Sequence, residues 1–148
     1  MTTNKGLFTS NKDDWETPQE LFDKLNEEFH FQLDPCATTL TAKCLKFFTK
    51  EEDGLKQNWS KYKSIFMNPP YGSEISKWLK KANETAQMGA TVVCLVPART
   101  DTKWWWSYCQ DDSDGVKRTI RFIKGRLKFG GKGSAPFPSA IVILKPAI

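Results

Sequence analysis

Ser64-Ile65-Phe66-Met67-Asn68-Pro69-Pro70-Tyr71-Gly72 is the stretch whose reading decides the fold. A short strand runs into two prolines, which fix φ and cannot donate to a β-ladder, so it ends abruptly at Asn68. Phe31-Gln32-Leu33 stops in the same way at Asp34-Pro35. Residues 46–49 form a further short strand candidate, and residues 91–96 are a continuous apolar run of the kind buried on both faces. Between these strands lie two helix patterns. Thr17-Pro18-Gln19-Glu20 reads as a capping box opening a helix over about 18–29, with Leu21, Phe22, Leu25 and Phe29 on one face. Ser73 can cap a second helix whose stripe is Ile75, Trp78, Leu79, Ala82 and Ala86, ended by Gly89. Another helix begins near residues 103–109, and residues 119–123, 126–129 and 140–144 are late strands joined by Gly- and Pro-rich turns. Alternation of strand and helix followed by strands alone predicts an α/β fold. Its central sheet is mostly parallel, with an antiparallel carboxyl-terminal edge and helices on both faces. Such a sheet binds ligands beyond the carboxyl ends of its strands, so Asp34-Pro35 and Asn68-Pro69-Pro70-Tyr71 should open onto one crevice.

The 148 residues suit one compact domain over residues 13–148, preceded by a polar arm at 1–12. There are 22 basic and 17 acidic residues, for a net charge of +5. The charge is uneven: Asp114 is the last acid, residues 1–114 sum to −3 and residues 115–148 to +8. One end of the chain is therefore expected to meet something negative. No apolar run approaches the roughly 20 residues of a membrane span, and the first residues lack the apolar core of a secretory signal, so a soluble cytoplasmic protein is expected. Cys36, Cys44, Cys94 and Cys109 have no C-x-x-C spacing, and His30 is the one histidine. A closed metal site is not expected, and the cysteines read as reduced, mostly buried thiols. Trp104-Trp105-Trp106 cannot all face one core from a helix; two should pack and at least one be exposed.

The residue types at 68–71 suggest a particular chemistry. Asn68 offers a side-chain carbonyl, the two prolines free nearby backbone carbonyls from strand pairing, and Tyr71 offers a planar face. Two acceptors and an aromatic surface suit an exocyclic amino group on a flat ring.

At this motif the chain resembles the S-adenosylmethionine-dependent amino-methylating DNA methyltransferases, most closely the phage and prophage adenine-N6 (Dam-type) family. The resemblance extends over roughly residues 14 to 145 and implies a Rossmann-like methyltransferase fold. Asn68-Pro69-Pro70-Tyr71 is similar to the family's catalytic motif. Asp14-Trp15-Glu16-Thr17-Pro18 resembles its amino-terminal cofactor segment, Leu33-Asp34-Pro35-Cys36-Ala37 a reduced cofactor loop without the usual glycines, and Asp53-Gly54-Leu55 with Trp59 its acidic segment. The resemblance implies cofactor contacts from Trp15, Thr17, Pro18, Asp34, Pro35, Cys36, Ala37 and Asp53. Asp34 would lie near the methionine end and Thr17 near the carboxylate. Glu51 and Glu52 compete with Asp53 for the ribose or adenine side. It further implies a base flipped out of DNA, with Tyr71 on one face and Phe129 or Phe137 opposite. Cys36 has no basic activator nearby in sequence, so a thiolate mechanism of the cytosine-C5 kind is not favoured.

Lys117, Arg118, Arg121, Lys124, Arg126, Lys128 and Lys132 fall within 16 consecutive residues without an acid. With Phe129, and with Arg99 beyond the buried strand, they are the candidate DNA contacts, centred on residues 116–138. Strand alternation could instead scatter them over two faces. The resemblance implies adenine-N6 methylation of DNA and a phage or prophage origin, with host mimicry, restriction evasion and regulation all open as its role. The alternatives are methylation of another planar amino group (cytosine N4, an RNA base or a protein glutamine) and a catalytically silent nucleic-acid-binding module.

Overall fold

The computed structural model describes residues 14–110, 114–130 and 133–147. In chain order the elements are α1 (Gln19–Phe29), β1 (Leu33–Asp34), β2 (Lys46–Phe47), a 3₁₀ turn (Gly54–Lys56), β3 (Ser64–Met67), α2 (Ile75–Gln87) and β4 (Thr91–Pro97). A π-helical turn (Trp105–Gln110) follows, then β5 (Val116–Phe122), β6 (Lys128–Phe129), β7 (Gly133–Ser134) and β8 (Ser139–Pro146). The arm expected at residues 1–12 lies outside the described residues.

Among the described residues six strands form one sheet in the order β2-β1-β3-β4-β8-β5, and β6-β7 is a separate pair. β1 to β4 are mutually parallel, while β8 runs antiparallel to both β4 and β5. This is the expected Rossmann-like arrangement. The reversed strand is not the outermost one, however: β8 is inserted between β4 and β5, so the antiparallel pairings close the sheet from inside. Insertion suits its composition, since Ser139–Leu144 is buried throughout and an edge strand would leave one flank in water.

Helices cover both faces. On one face Phe22 of α1 meets Phe66 of β3 edge-on at 5.3 Å, and Arg121 of β5 pairs with Glu28 of α1. On the other, Asn83 of α2 holds Arg118 of β5, and Trp105 stacks on Phe122 at 6.2 Å. Alternation along a strand produces this division, because residues 118 and 121 of one strand point to opposite sides. β4 lies between the two helical layers, and its residues Val92 to Val96 are fully buried.

The α2 stripe read from the sequence is buried at each of its five positions, with Asn83 and Thr85 alongside. Helix starts differ from expectation. Neither α1 nor α2 has a side-chain cap; Pro18 and Glu74 occupy the cap positions, and Phe22 N–H donates to the Pro18 carbonyl at 3.1 Å. The capping-box reading of Thr17 is thus overturned, because its hydroxyl is engaged elsewhere. Of the three consecutive tryptophans, Trp105 is buried, Trp104 packs partly against the core and Trp106 is exposed, as the helical geometry demanded.

Candidate active site

The carboxyl ends of β1 and β3 open onto a cavity of about 770 Å³. Asp34, Pro35, Cys36 and Ala37 line it from the end of β1, and Asn68, Pro69 and Pro70 from the end of β3. Trp15 and Thr17 border it from the segment before α1. The two proline-stopped strands therefore meet at one crevice. Asp53 is in the lining while Glu51 and Glu52 are not. Glu52 is tied to its own loop, accepting from Thr49 N–H and Oγ1. Pro18 is outside the lining, since its backbone starts α1.

Asp34 organises the loop after β1. Its carboxylate accepts from Lys43 N–H at 3.1 Å and Cys36 N–H at 3.4 Å, so it spans a nine-residue loop. Burial pushes its pKa up to about 7, against the pull of those two donors and of the Lys43 ammonium. The Lys43 ammonium lies 2.9 Å from Gln19 Oε1 and 3.7 Å from Glu16 Oε2, tying the same loop to the segment before α1. Burial also raises the Cys36 thiol well above its ordinary range, reinforced by the charges of Asp34 and Asp14, which disfavours a thiolate nucleophile there.

Close approach explains Gly54. A Cβ there would lie 2.2 Å from the Pro35 carbonyl oxygen and 3.0 Å from the Trp78 ring. Its carbonyl accepts from Trp59 Nε1 at 2.8 Å, and the neighbouring Asp53, at φ 55°, accepts from Leu55 N–H. The Asp53-Gly54-Leu55 turn is thus pressed against the β1 loop, which sets Asp53 at the cavity. Trp78, one of the α2 stripe residues, also lines the cavity; helical periodicity alone could not separate its core face from its ligand face.

At the motif itself the Asn68 amide nitrogen donates to the Trp15 carbonyl and to Thr17 Oγ1. Asn68 Oδ1 is buried and, among the described residues, has no hydrogen-bond partner. Tyr71 is placed differently from the sequence expectation. It is only 4% exposed, its hydroxyl donates to the Leu95 carbonyl at 3.0 Å, and its ring packs against Phe129 and Phe137 at 6.1 and 5.6 Å. Trp15 completes this aromatic cluster. Phe129, at 1% exposure, is a wall of the cluster and not an open stacking surface, because β6 turns it inward onto Trp15.

The basic stretch is divided by the fold. Arg118 is a buried strut: Nε and Nη2 donate to Asn83 Oδ1, Nε also to the Tyr108 carbonyl, and Nη2 to Asp114 Oδ2. It cannot reach DNA phosphates, which corrects its expected role. Lys117 is exposed but shares with Arg118 the end of β5 away from the cavity, level with Lys145 and Leu144 of β8. Arg121 is paired bidentately with Glu28 on the α1 face. Lys124, Arg126 and Lys128 are exposed and follow the cavity end of β5. The β6-β7 pair that carries Lys128 meets the site directly: Gly130 N–H donates to the Glu16 carbonyl and Gly130 lines the cavity. Arg99 is exposed, with its guanidinium 5.7 Å over the Phe137 ring. Lys132 lies outside the described residues.

Among the described residues no helix is long and apolar enough to cross a membrane. The family model for DNA N-6-adenine-methyltransferase (Dam) matches residues 4–144. A protein of Escherichia phage T1 named DNA N-6-adenine-methyltransferase is 34% identical over 95 residues, which is 64% of this chain and 40% of the relative. One of the same name from Haemophilus phage HP1 (strain HP1c1) is 32% identical over 107 residues, 71% of this chain and 61% of the relative. The chain thus spans about two fifths to three fifths of the length of these curated relatives. A solved structure, a putative RNA methyltransferase from Pyrococcus horikoshii, is 21% identical with a TM-score of 0.43, covering 70% of this chain and 53% of its own.

Proposed function

The chain belongs to the DNA N-6-adenine-methyltransferase (Dam) family, and we propose that it transfers a methyl group from S-adenosylmethionine to the N6 amino group of adenine in DNA. The observation that carries this reading is Asn68, whose amide hydrogens are taken by the protein while its carbonyl oxygen is buried with no donor among the described residues. An acceptor held out of water with no partner costs about 1–3 kcal/mol, which an incoming N–H would remove.

The cavity fits the cofactor. Its volume lies within the ~300–1,000 Å³ usual for small-molecule sites, and the buried carboxyl of Asp34 suits a ligand carrying positive ammonium and sulfonium groups. Asp34, Pro35, Cys36 and Ala37 would hold the methionine end with Trp15 and Thr17, and Asp53 the ribose or adenine side. When bound, the cofactor supplies a methyl group activated on sulfur.

The chain's own residues do the rest. Asn68 Oδ1 and the Pro69 carbonyl accept from the adenine amino group, drawing its lone pair out of conjugation and stabilising the positive charge that develops on nitrogen. Alignment of the reactants contributes further. A carboxamide is no general base, so the proton leaves after methyl transfer. The target base must leave the duplex to reach Asn68. Stacking on Tyr71 then requires Phe129 or Phe137 to give way; Arg99 lies over Phe137 and Lys128 adjoins Phe129, and with Lys124 and Arg126 beyond the same end of β5 they would meet the phosphates.

The test is incubation with methyl-labelled cofactor and DNA, followed by digestion to nucleosides. Label is expected in N6-methyl-2′-deoxyadenosine. Asn68→Ala should lose turnover by about 10²–10³-fold with cofactor binding retained. Label in another nucleoside, or none, would overturn the reading.

A further inference from the structure

We propose that Thr17 is a positioning residue which holds the Asn68 amide in the orientation that the Trp15 carbonyl sets, with Oδ1 facing the reacting amino group. The inference rests on the methyl-transfer reading and deepens it. A primary amide has two N–H bonds and one carbonyl, and the two ends are nearly isosteric, so only its partners decide the orientation. Here both N–H bonds are engaged, one by the Trp15 carbonyl and one by Thr17 Oγ1 at 2.9 Å. Oδ1 is the end left over, buried and without a partner among the described residues. A half-turn of the amide would set its oxygen against the Trp15 carbonyl, acceptor against acceptor.

Thr17 is suited to this role by burial and by release from its other task. It is 5% exposed and does not cap α1. The two partners sit 51 residues apart in sequence, so the segment before α1 is strapped to the end of β3 by this bond. A hydroxyl that accepts from Asn68 keeps its own proton to donate, so contact with a cofactor carboxylate is compatible with the clamp.

Two measurements test the clamp. At saturating cofactor and DNA, Thr17→Val should lower the single-turnover rate about tenfold, the worth of one net hydrogen bond, and Thr17→Ser should restore it to within about twofold. In ligand-free ¹⁵N-labelled protein, solvent exchange of the Asn68 side-chain NH₂ should quicken at least about tenfold in Thr17→Val but not in Thr17→Ser. If Thr17→Val fails to fold, Thr17→Ala carries the same expectations. An unchanged single-turnover rate, or unchanged Asn68 exchange, would overturn the proposal. A wild-type protein that methylates no adenine would overturn the methyl-transfer reading instead, and the exchange rates would still decide the clamp.

Discussion

The cavity and the basic stretch are built in opposite ways. Four short segments scattered from Trp15 to Pro70 in sequence converge on one cavity, while the near-continuous run from Lys117 to Lys128 is dispersed over two faces and two ends of the sheet. Sheet topology explains both. Parallel strands bring all their carboxyl ends to one side, so residues far apart meet there. A single strand sends alternate side chains to opposite faces, so neighbours in sequence part. Charge density along a chain is accordingly a poorer guide to a surface than strand ends are to a site.

The largest effect expected from this contrast is on Arg118. If it is a strut, Arg118→Ala leaves the buried Asn83 Oδ1 without its donor and takes from the Tyr108 carbonyl one of its two, and should cost about 3–4 kcal/mol in urea unfolding. Lys117→Ala, on the same strand but exposed, should change stability by less than about 0.5 kcal/mol. Equal effects at the two positions would erase the distinction between buried and solvated members of the stretch.

Next is the buried charge on the cavity side. Burial raises the Asp34 pKa to about 7, so between the unfolded carboxyl value and pH 7 the folded protein binds the extra proton. Its contribution to stability is therefore present at low pH and lost as pH rises through about 7. Relative to Asp34→Asn, the wild type should lose about 2–3 kcal/mol between pH 5 and pH 8 in thermal or urea unfolding. A carboxyl kept charged by Lys43 would show no such difference. Arg118 and Asp34 are both buried charges, but one braces the structure and the other burdens it for the sake of the site.

What was legible in the sequence follows the same division. Proline termination and helical periodicity are local, so β3, the Asp34-Pro35 stop and the α2 stripe could be read directly. The Thr17 hydroxyl and Arg118 could not, because their partners Asn68 and Asn83 are 51 and 35 residues away and nothing local marks the pairing. One signal was available. Asn83 falls four residues after Leu79 among the buried positions of α2, where an amide must find a buried partner. The resemblance implied Phe129 or Phe137 opposite Tyr71, but not their closing directly onto it, since that depends on β6 folding back across the strand ends.

The smallest expected effect is also the most selective. Lys124, Arg126 and Lys128 follow the cavity end of β5, whereas Lys117 belongs to its far end. If the first three neutralise phosphates, each alanine substitution should reduce the slope of log affinity against log salt by about 0.9, while Lys117→Ala leaves it unchanged. The slope reports contacts made and not stability, so it separates a working cation from a solvated one even when affinities differ little. A loss at Lys117 matching that at Lys128 would mean that DNA wraps along the whole β5 edge. The division of the basic stretch by sheet end would then carry no functional meaning, and only its division by burial, as at Arg118, would survive.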